Sequence, residues 1–154
     1  MENVKWYEAA SIPALLRHAR ATYGSGMREA LEAAGYDDLP ANGLFVIGGL
    51  AYGADAPLGD IIRNLRISKQ AAGQLIDTLV ARGYLTRAID ESDRRKLTVL
   101  LTERGRAAAD AQAIGRMRID EELARLVGQE AVSTLRRTLA ALAQIGRKEN
   151  AAAD

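Results

Sequence analysis

Residues 59–106, GDIIRNLRISKQAAGQLIDTLVARGYLTRAIDESDRRKLTVLLTERGR, constrain the fold more than any other part of the chain. Two short apolar stripes come first, Ile61, Ile62 and Leu65, then Ala72, Leu75, Ile76 and Leu79, both at helical spacing. Only Arg66 and Ile67 separate the first stripe from Ser68, whose hydroxyl suits an N-cap. Gly83 ends the second helix. Tyr84–Ile89 and Lys96–Leu101 then read as strands, with Leu97, Val99 and Leu101 alternating against Lys96, Thr98 and Leu100. Asp90–Arg95 is the charged tip that joins them, and Thr102 with Glu103 opens a further helix.

Two short helices across a tight turn make a helix-turn-helix, whose second helix enters a DNA major groove led by its N-terminal residues. The buried stripe leaves Lys69, Gln70, Gly73, Gln74 and Asp77 facing outward. Gln70 or Gln74 suits an adenine edge, and Lys69 a guanine or a phosphate. Gly73 costs about 1 kcal/mol against alanine in mid-helix. It reads either as close approach of the backbone to DNA or to a neighbouring helix, or as a tolerated weak spot. A charged hairpin directly after such a helix is the wing of a winged helix. A narrow minor groove draws in arginine, and a stiff hairpin can carry one there. Asp90 and Asp93 are expected to orient the second arginine and brace the tip. Ser68, Arg66, Arg87 and Lys96 complete the candidate DNA-binding set.

Charge distribution points the same way. Between Asp60 and Arg106 ten basic residues stand against six acidic ones, a surplus of four in a chain whose net charge is +1. A basic middle between acidic ends suits one face for a polyanion.

The flanks are helical. From Ser11 to about Ala34, Ile12, Leu15, Leu16, Ala19, Tyr23, Met27, Ala30 and Leu31 recur at helical spacing, and Gly35 suits the end. Tyr36–Leu39 is a link, and Pro40 opens a second helix to about Ala51 that Gly48 and Gly49 weaken. Tyr52–Pro57 is a turn-rich break. The helix after Thr102 runs to about Leu126, Gly128 interrupts, and a last helix carries Val132, Leu135, Leu139, Leu142 and Ile145. The tail KENAAAD has no stripe and is expected to fray.

Several function classes are disfavoured. With 154 residues the chain suits one domain, 1–154. There is no cysteine and one histidine, His18, so neither a zinc site, a thiol switch nor a histidine triad is expected. Gly48, Gly49 and Gly53 are not followed by the lysine and hydroxyl residue of a phosphate loop. The carboxylates of the charged turn lack the burial that acid–base pairs require. No enzymatic activity, metal or cofactor is expected. No apolar run approaches a bilayer span, and MENVKWYEAA lacks the order of a signal peptide, so a cytoplasmic location is expected.

The chain resembles the multiple antibiotic resistance regulator (MarR) family of winged-helix repressors. The matching stretch begins near LPANGLFVIGGLA, continues through IIRNLRISKQAAGQLIDTLVARGYLTR and closes with DESDRRKLTVLLTERGR, about residues 39–110. The specific part is the wing motif Asp93-Arg94-Arg95 followed by Leu101-Thr102 and Gly105. The resemblance implies a mainly α fold with a small β-hairpin, a winged helix at 40–102, and helices at 11–35 and 103–147 that intertwine as a dimer on a pseudo-palindromic operator. It places Arg94 in the minor groove and Arg95 against Asp90 or Asp93, roles that can be exchanged. Arg66 stands where the family often has glycine, which either adds a phosphate contact or alters the turn. Family members often release DNA on binding a small anionic aromatic compound. A pocket for one is expected to draw on Trp6, Tyr7, Arg17, His18, Tyr36, Phe45 or Tyr52. The alternative function is a protein-interaction module that has lost DNA binding, which Gly73 and Asp77 on the outward face keep open.

Overall fold

A computed structural model describes residues 6–53, 57–93 and 97–153, with backbone alone at Leu97 and from residue 149 onward. Among the described residues the order is α1 (Trp6–Ala9), α2 (Ile12–Ala33), α3 (Gly43–Tyr52), α4 (Leu58–Asn64), α5 (Lys69–Ala81), β1 (Leu85–Ile89), β2 (Leu97–Leu101), α6 (Glu103–Val127) and α7 (Gln129–Ala153). The chain forms two compact units, residues 1–116 and 117–154, and α6 contributes to both.

In the first unit the local signals are the expected ones. Ser11 Oγ accepts from Ala14 N at 3.3 Å and Pro13 lies in the first turn of α2. Ser68 Oγ accepts from Ala71 N at 3.1 Å and starts α5. Such caps stabilise a helix by about 1 kcal/mol. β1 and β2 pair antiparallel, with Leu85 opposite Leu101 and Ile89 opposite Leu97. Val99 and Leu85 turn inward while Thr86, Arg87 and Leu100 face solvent. The core gathers Leu31, Leu44, Ile47, Leu75, Leu79 and Tyr84 among its buried members, so it joins α2, α3, α5 and the base of the hairpin. β1 lies against α5 and β2 against α3.

Two details fix the base of the hairpin. Thr102 Oγ1 accepts from Gly105 N at 3.0 Å as the cap of α6, and its own hydroxyl faces the carbonyls of Gly83 and Tyr84. Gly105 is buried so close to the hairpin that an added Cβ would stand 2.0 Å from Tyr84 O. Nearby, the Tyr84 hydroxyl donates to Asp38, and Arg104 donates to Asp38 at 3.0 Å and to Tyr84 at 3.1 Å. The Arg104 guanidinium lies over the Tyr84 ring, 4.6 Å from its centre. Burial first, then the bond to Asp38, pushes the Tyr84 hydroxyl up to about 12. The same bond, with Arg104 adding to it, holds the Asp38 carboxyl below its ordinary value.

One expectation is corrected. Pro40 does not open the third helix: Gly43 N donates to Pro40 O at 2.8 Å in a turn, and α3 begins at Gly43. A four-residue helix precedes Ser11, at Trp6–Ala9. The tail is helical as far as Ala153, where α7 ends, and alanine is a strong helix former.

In the second unit Arg136 pairs with Asp120 at 3.5 Å and Arg125 with Glu122 at 2.5 Å. Val132 is buried, but Leu135, Leu139, Leu142 and Ile145 are exposed along one side of α7. No helix among the described residues is long and apolar enough to cross a membrane.

Candidate nucleic-acid interface

The turn between α4 and α5 is the first element of the site. Leu65 N donates to Ile62 O and Arg66 N to Arg63 O, after which the chain reverses at Arg66 with φ of 56°. Arg66 is the one non-glycine residue with positive φ among those described. A side chain in this region costs about 1–2 kcal/mol, which is the physical reason for a glycine at such a turn. Arg66→Gly is expected to raise stability by a net of about 0.5–1 kcal/mol, because glycine's extra freedom in the unfolded chain offsets part of the relief. A urea midpoint that stays put or falls shows an unstrained turn.

α5 presents its polar face to solvent as its stripe requires. Leu75 and Leu79 are buried, and Lys69, Gln70, Gly73, Gln74 and Asp77 are all exposed. A Cβ at Gly73 would meet nothing within 4 Å, so packing against a neighbouring helix does not explain this glycine. Asp77 is ion-paired with Arg87 of β1, which ties the outer face of the helix to the hairpin. The negative charge on that face therefore carries its own counter-charge, and Arg87 is a brace as well as a surface cation.

At the tip, Asp90 accepts from Ser92 N at 2.8 Å and from Ser92 Oγ at 2.6 Å. This is a local side-chain turn that bends the chain without a glycine. Arg94, Arg95 and Lys96 lie outside the described residues.

The same unit holds a cleft of about 160 Å³ between α2, α3 and α6. Of the aromatic residues expected at a pocket, Phe45 and Tyr52 line it. Tyr36 instead stacks toward Tyr84, 6.3 Å between ring centres, beside the Asp38 cluster. Trp6 meets His18 edge to face at 6.4 Å on the exposed start of the chain, with Tyr7 and Arg17 exposed nearby, and none of these four lines the cleft. The Tyr52 hydroxyl donates to Asp110, and that bond to a carboxylate, followed by burial, raises its pKa. Arg116 lies over the Tyr52 ring at 5.3 Å.

Gln112 also lines the cleft, and sequence reasoning passed over it. α6 buries Gly105, Ala108, Ala109, Gln112 and Gly115, and a glutamine alone in a stripe of small residues is the signal that was available. Its Nε2 donates to Leu44 O at 2.9 Å, in the place where a Cβ on Gly48 would stand. On another side of α3, a Cβ on Gly49 would lie 2.9 Å from the Ile61 side chain. The glycine pair that weakened the helix by propensity thus admits Gln112 from α6 and Ile61 from α4.

Residues 38–96 match the MarR family model. No curated protein matches the chain in sequence. The fold matches NadR in complex with 4-hydroxyphenylacetate at 22% identity and TM-score 0.73, covering 88% of this chain and 94% of that one. It matches the transcriptional repressor CouR bound to a 23-mer DNA duplex at 22% identity and TM-score 0.63, covering 93% and 98%. It matches apo MarR from E. coli at 20% identity and TM-score 0.61, covering 86% and 96%. Over residues 38–96 the chain is similar to the MarR family, and its fold is that of the solved transcriptional regulators it matches.

Proposed function

We propose that this protein is a sequence-specific DNA-binding transcriptional repressor that acts as a homodimer on a pseudo-palindromic operator. α5 enters the major groove, and the hairpin tip, carrying Arg94 and Arg95, enters the adjacent minor groove. The observation that carries this reading is the exposure of Lys69, Gln70, Gly73 and Gln74 on one face of α5, beside a hairpin tied to that face through Arg87 and Asp77. The complex of CouR with a DNA duplex supports it as a fold-level parallel. Two copies related by a two-fold axis set their reading helices about 34 Å apart, one turn of DNA. The apolar side of α7 supplies a surface for the pairing. A small aromatic or anionic effector, held in the α2–α3–α6 cleft, releases the DNA; the 4-hydroxyphenylacetate complex of NadR supports that class of ligand.

Selection from random duplexes, followed by a salt titration of the selected site, tests this reading. Log affinity should fall by about 0.9 for each phosphate contact per log unit of salt. Selection that enriches no sequence, or affinity indifferent to salt, refutes it in favour of a protein-interaction module. Gln70→Ala is expected to relax base preference at one position of each half-site by about 1–3 kcal/mol of discrimination. Coincident selection profiles for variant and parent remove Gln70 from base reading. Gly73→Ala is expected to stabilise the chain by about 1 kcal/mol while weakening DNA binding, because the open space at Gly73 lets backbone approach the duplex. A more stable variant with unchanged affinity identifies a tolerated weak spot instead.

A further inference from the structure

The turn before α5 keeps a side chain for which the fold has no use. Arg66 sits at φ of 56°, in the left-handed region, where a glycine would be relaxed. Its side chain is exposed, and it makes neither an ion pair nor a side-chain hydrogen bond among the described residues. Arginine therefore strains the backbone here and returns no polar contact. Strain of this kind persists where a site is using it.

The surrounding cations are already engaged. Arg63 pairs with Asp60 at 2.9 Å, Arg87 pairs with Asp77, and Arg82 donates to the Asp38 carbonyl. Among the described residues from α4 to β1, Arg66 and Lys69 are left with uncompensated charge. They bracket the Ser68 cap, and Gln70 and Gln74 follow on the exposed face of α5. An unpaired cation fixed at the edge of the helix face proposed to read bases fits an anion that recurs beside the bases, which is the phosphate of a duplex backbone. A guanidinium suits that anion, because its fork matches two phosphate oxygens.

We propose that Arg66 is a backbone anchor that holds one phosphate of the duplex from the turn, and that the strained backbone is retained because it fixes the guanidinium there. The proposal rests on the DNA-binding reading and deepens it: Arg66 sets how tightly a duplex is held, and Gln70 which sequence is preferred. A phosphate is the same at every step of the duplex, so the contact adds affinity for all sequences alike.

Arg66→Gly and Arg66→Gln separate charge from backbone. The first removes both the charge and the strain; the second removes the charge and keeps the strain. Anisotropy titrations of the full chain across a salt series compare the duplex enriched from random sequences with an unrelated duplex of the same length. Each variant is expected to bind both duplexes about tenfold more weakly at low salt, with their ratio unchanged. Each is also expected to flatten the log–log salt slope by about 0.9 for every copy of the chain on the duplex. Arg66→Gly is expected to do this with a raised urea midpoint, which loss of structure would not produce. If both variants keep the parent's affinity and slope, Arg66 holds no phosphate, and the proposal falls while DNA binding stands. If Arg66→Gly alone weakens binding, turn geometry and not charge is responsible; if the two duplexes lose affinity unequally, the side chain reads sequence. Either result overturns the anchor. If the parent itself binds no duplex in a salt-dependent way, the DNA-binding reading falls and takes this proposal with it.

Discussion

Leu139→Asp is expected to leave a folded chain that no longer self-associates and binds its operator at least 100-fold more weakly. Leu135, Leu139, Leu142 and Ile145 recur on one side of α7, and Leu139 remains 38% exposed and Ile145 57% exposed in the isolated chain. A charge at Leu139 is solvated in the monomer, so folding survives. In a dimer the same carboxylate loses its water without gaining a partner. The loss of DNA affinity follows from valency. Two reading heads on one body bind a two-part operator with an avidity that exceeds one head by about 10²–10⁴. Sedimentation equilibrium and a gel-shift titration measure the two effects together. A variant that sediments like the parent dimer removes α7 from the interface.

The second large effect is a loss of stability. Gly105→Ala places a methyl group 2.0 Å from the Tyr84 carbonyl oxygen and 3.1 Å from Leu101 Cδ2. The nearer obstacle is backbone and cannot rotate away, so the first turn of α6 must lift off the base of the hairpin. Overpacking of this kind costs about 1–3 kcal/mol or more, a substantial part of the roughly 5–15 kcal/mol that holds a domain folded. The movement also strains the Thr102 cap, whose hydroxyl accepts from the Gly105 amide. Gly59→Ala is the matched control, since a Cβ there would meet nothing within 4 Å. Urea unfolding is expected to show a lowered midpoint for Gly105→Ala and an unchanged or raised one for Gly59→Ala. Equal midpoints show that α6 and the hairpin are less tightly joined than the contact implies.

These positions also show what a single sequence discloses. α5 and the hairpin are legible because the apolar period switches from helical to alternating between Leu79 and Val99, with Ser68 and Gly83 marking the boundaries. The Leu101-Thr102-Gly105 pattern carries its reason in the fold, with Thr102 capping α6 and Gly105 admitting a carbonyl. Arg66 is legible only as a departure from a glycine; its left-handed backbone belongs to the folded turn. Contacts between distant segments leave no local trace. Asp38 and Arg104 lie 66 residues apart, and Gln112 and Leu44 lie 68 apart. Of the side chains that the sequence offers for a pocket, Phe45 and Tyr52 line the α2–α3–α6 cleft, Trp6, Tyr7, Arg17, His18 and Tyr36 do not, and Gln112 and Arg116 line it without having been among them. Propensity alone reads Gly48 and Gly49 as weakness, whereas here they are the space that Gln112 and Ile61 occupy.

The clasp between Asp77 and Arg87 bears on the kinetics of meeting a polyanion. A lone aspartate on an approaching surface repels phosphates, and a lone arginine there must be immobilised as the complex forms. Clasped together, each cancels the other's drawback: the repulsion is muted, and the long guanidinium chain has already surrendered much of its rotational freedom before the encounter. Half-exposed as it is, the clasp adds little to folding. Under the proposed function its worth lies in preorganisation, with finger and rod arriving at a duplex as one caliper already set to width.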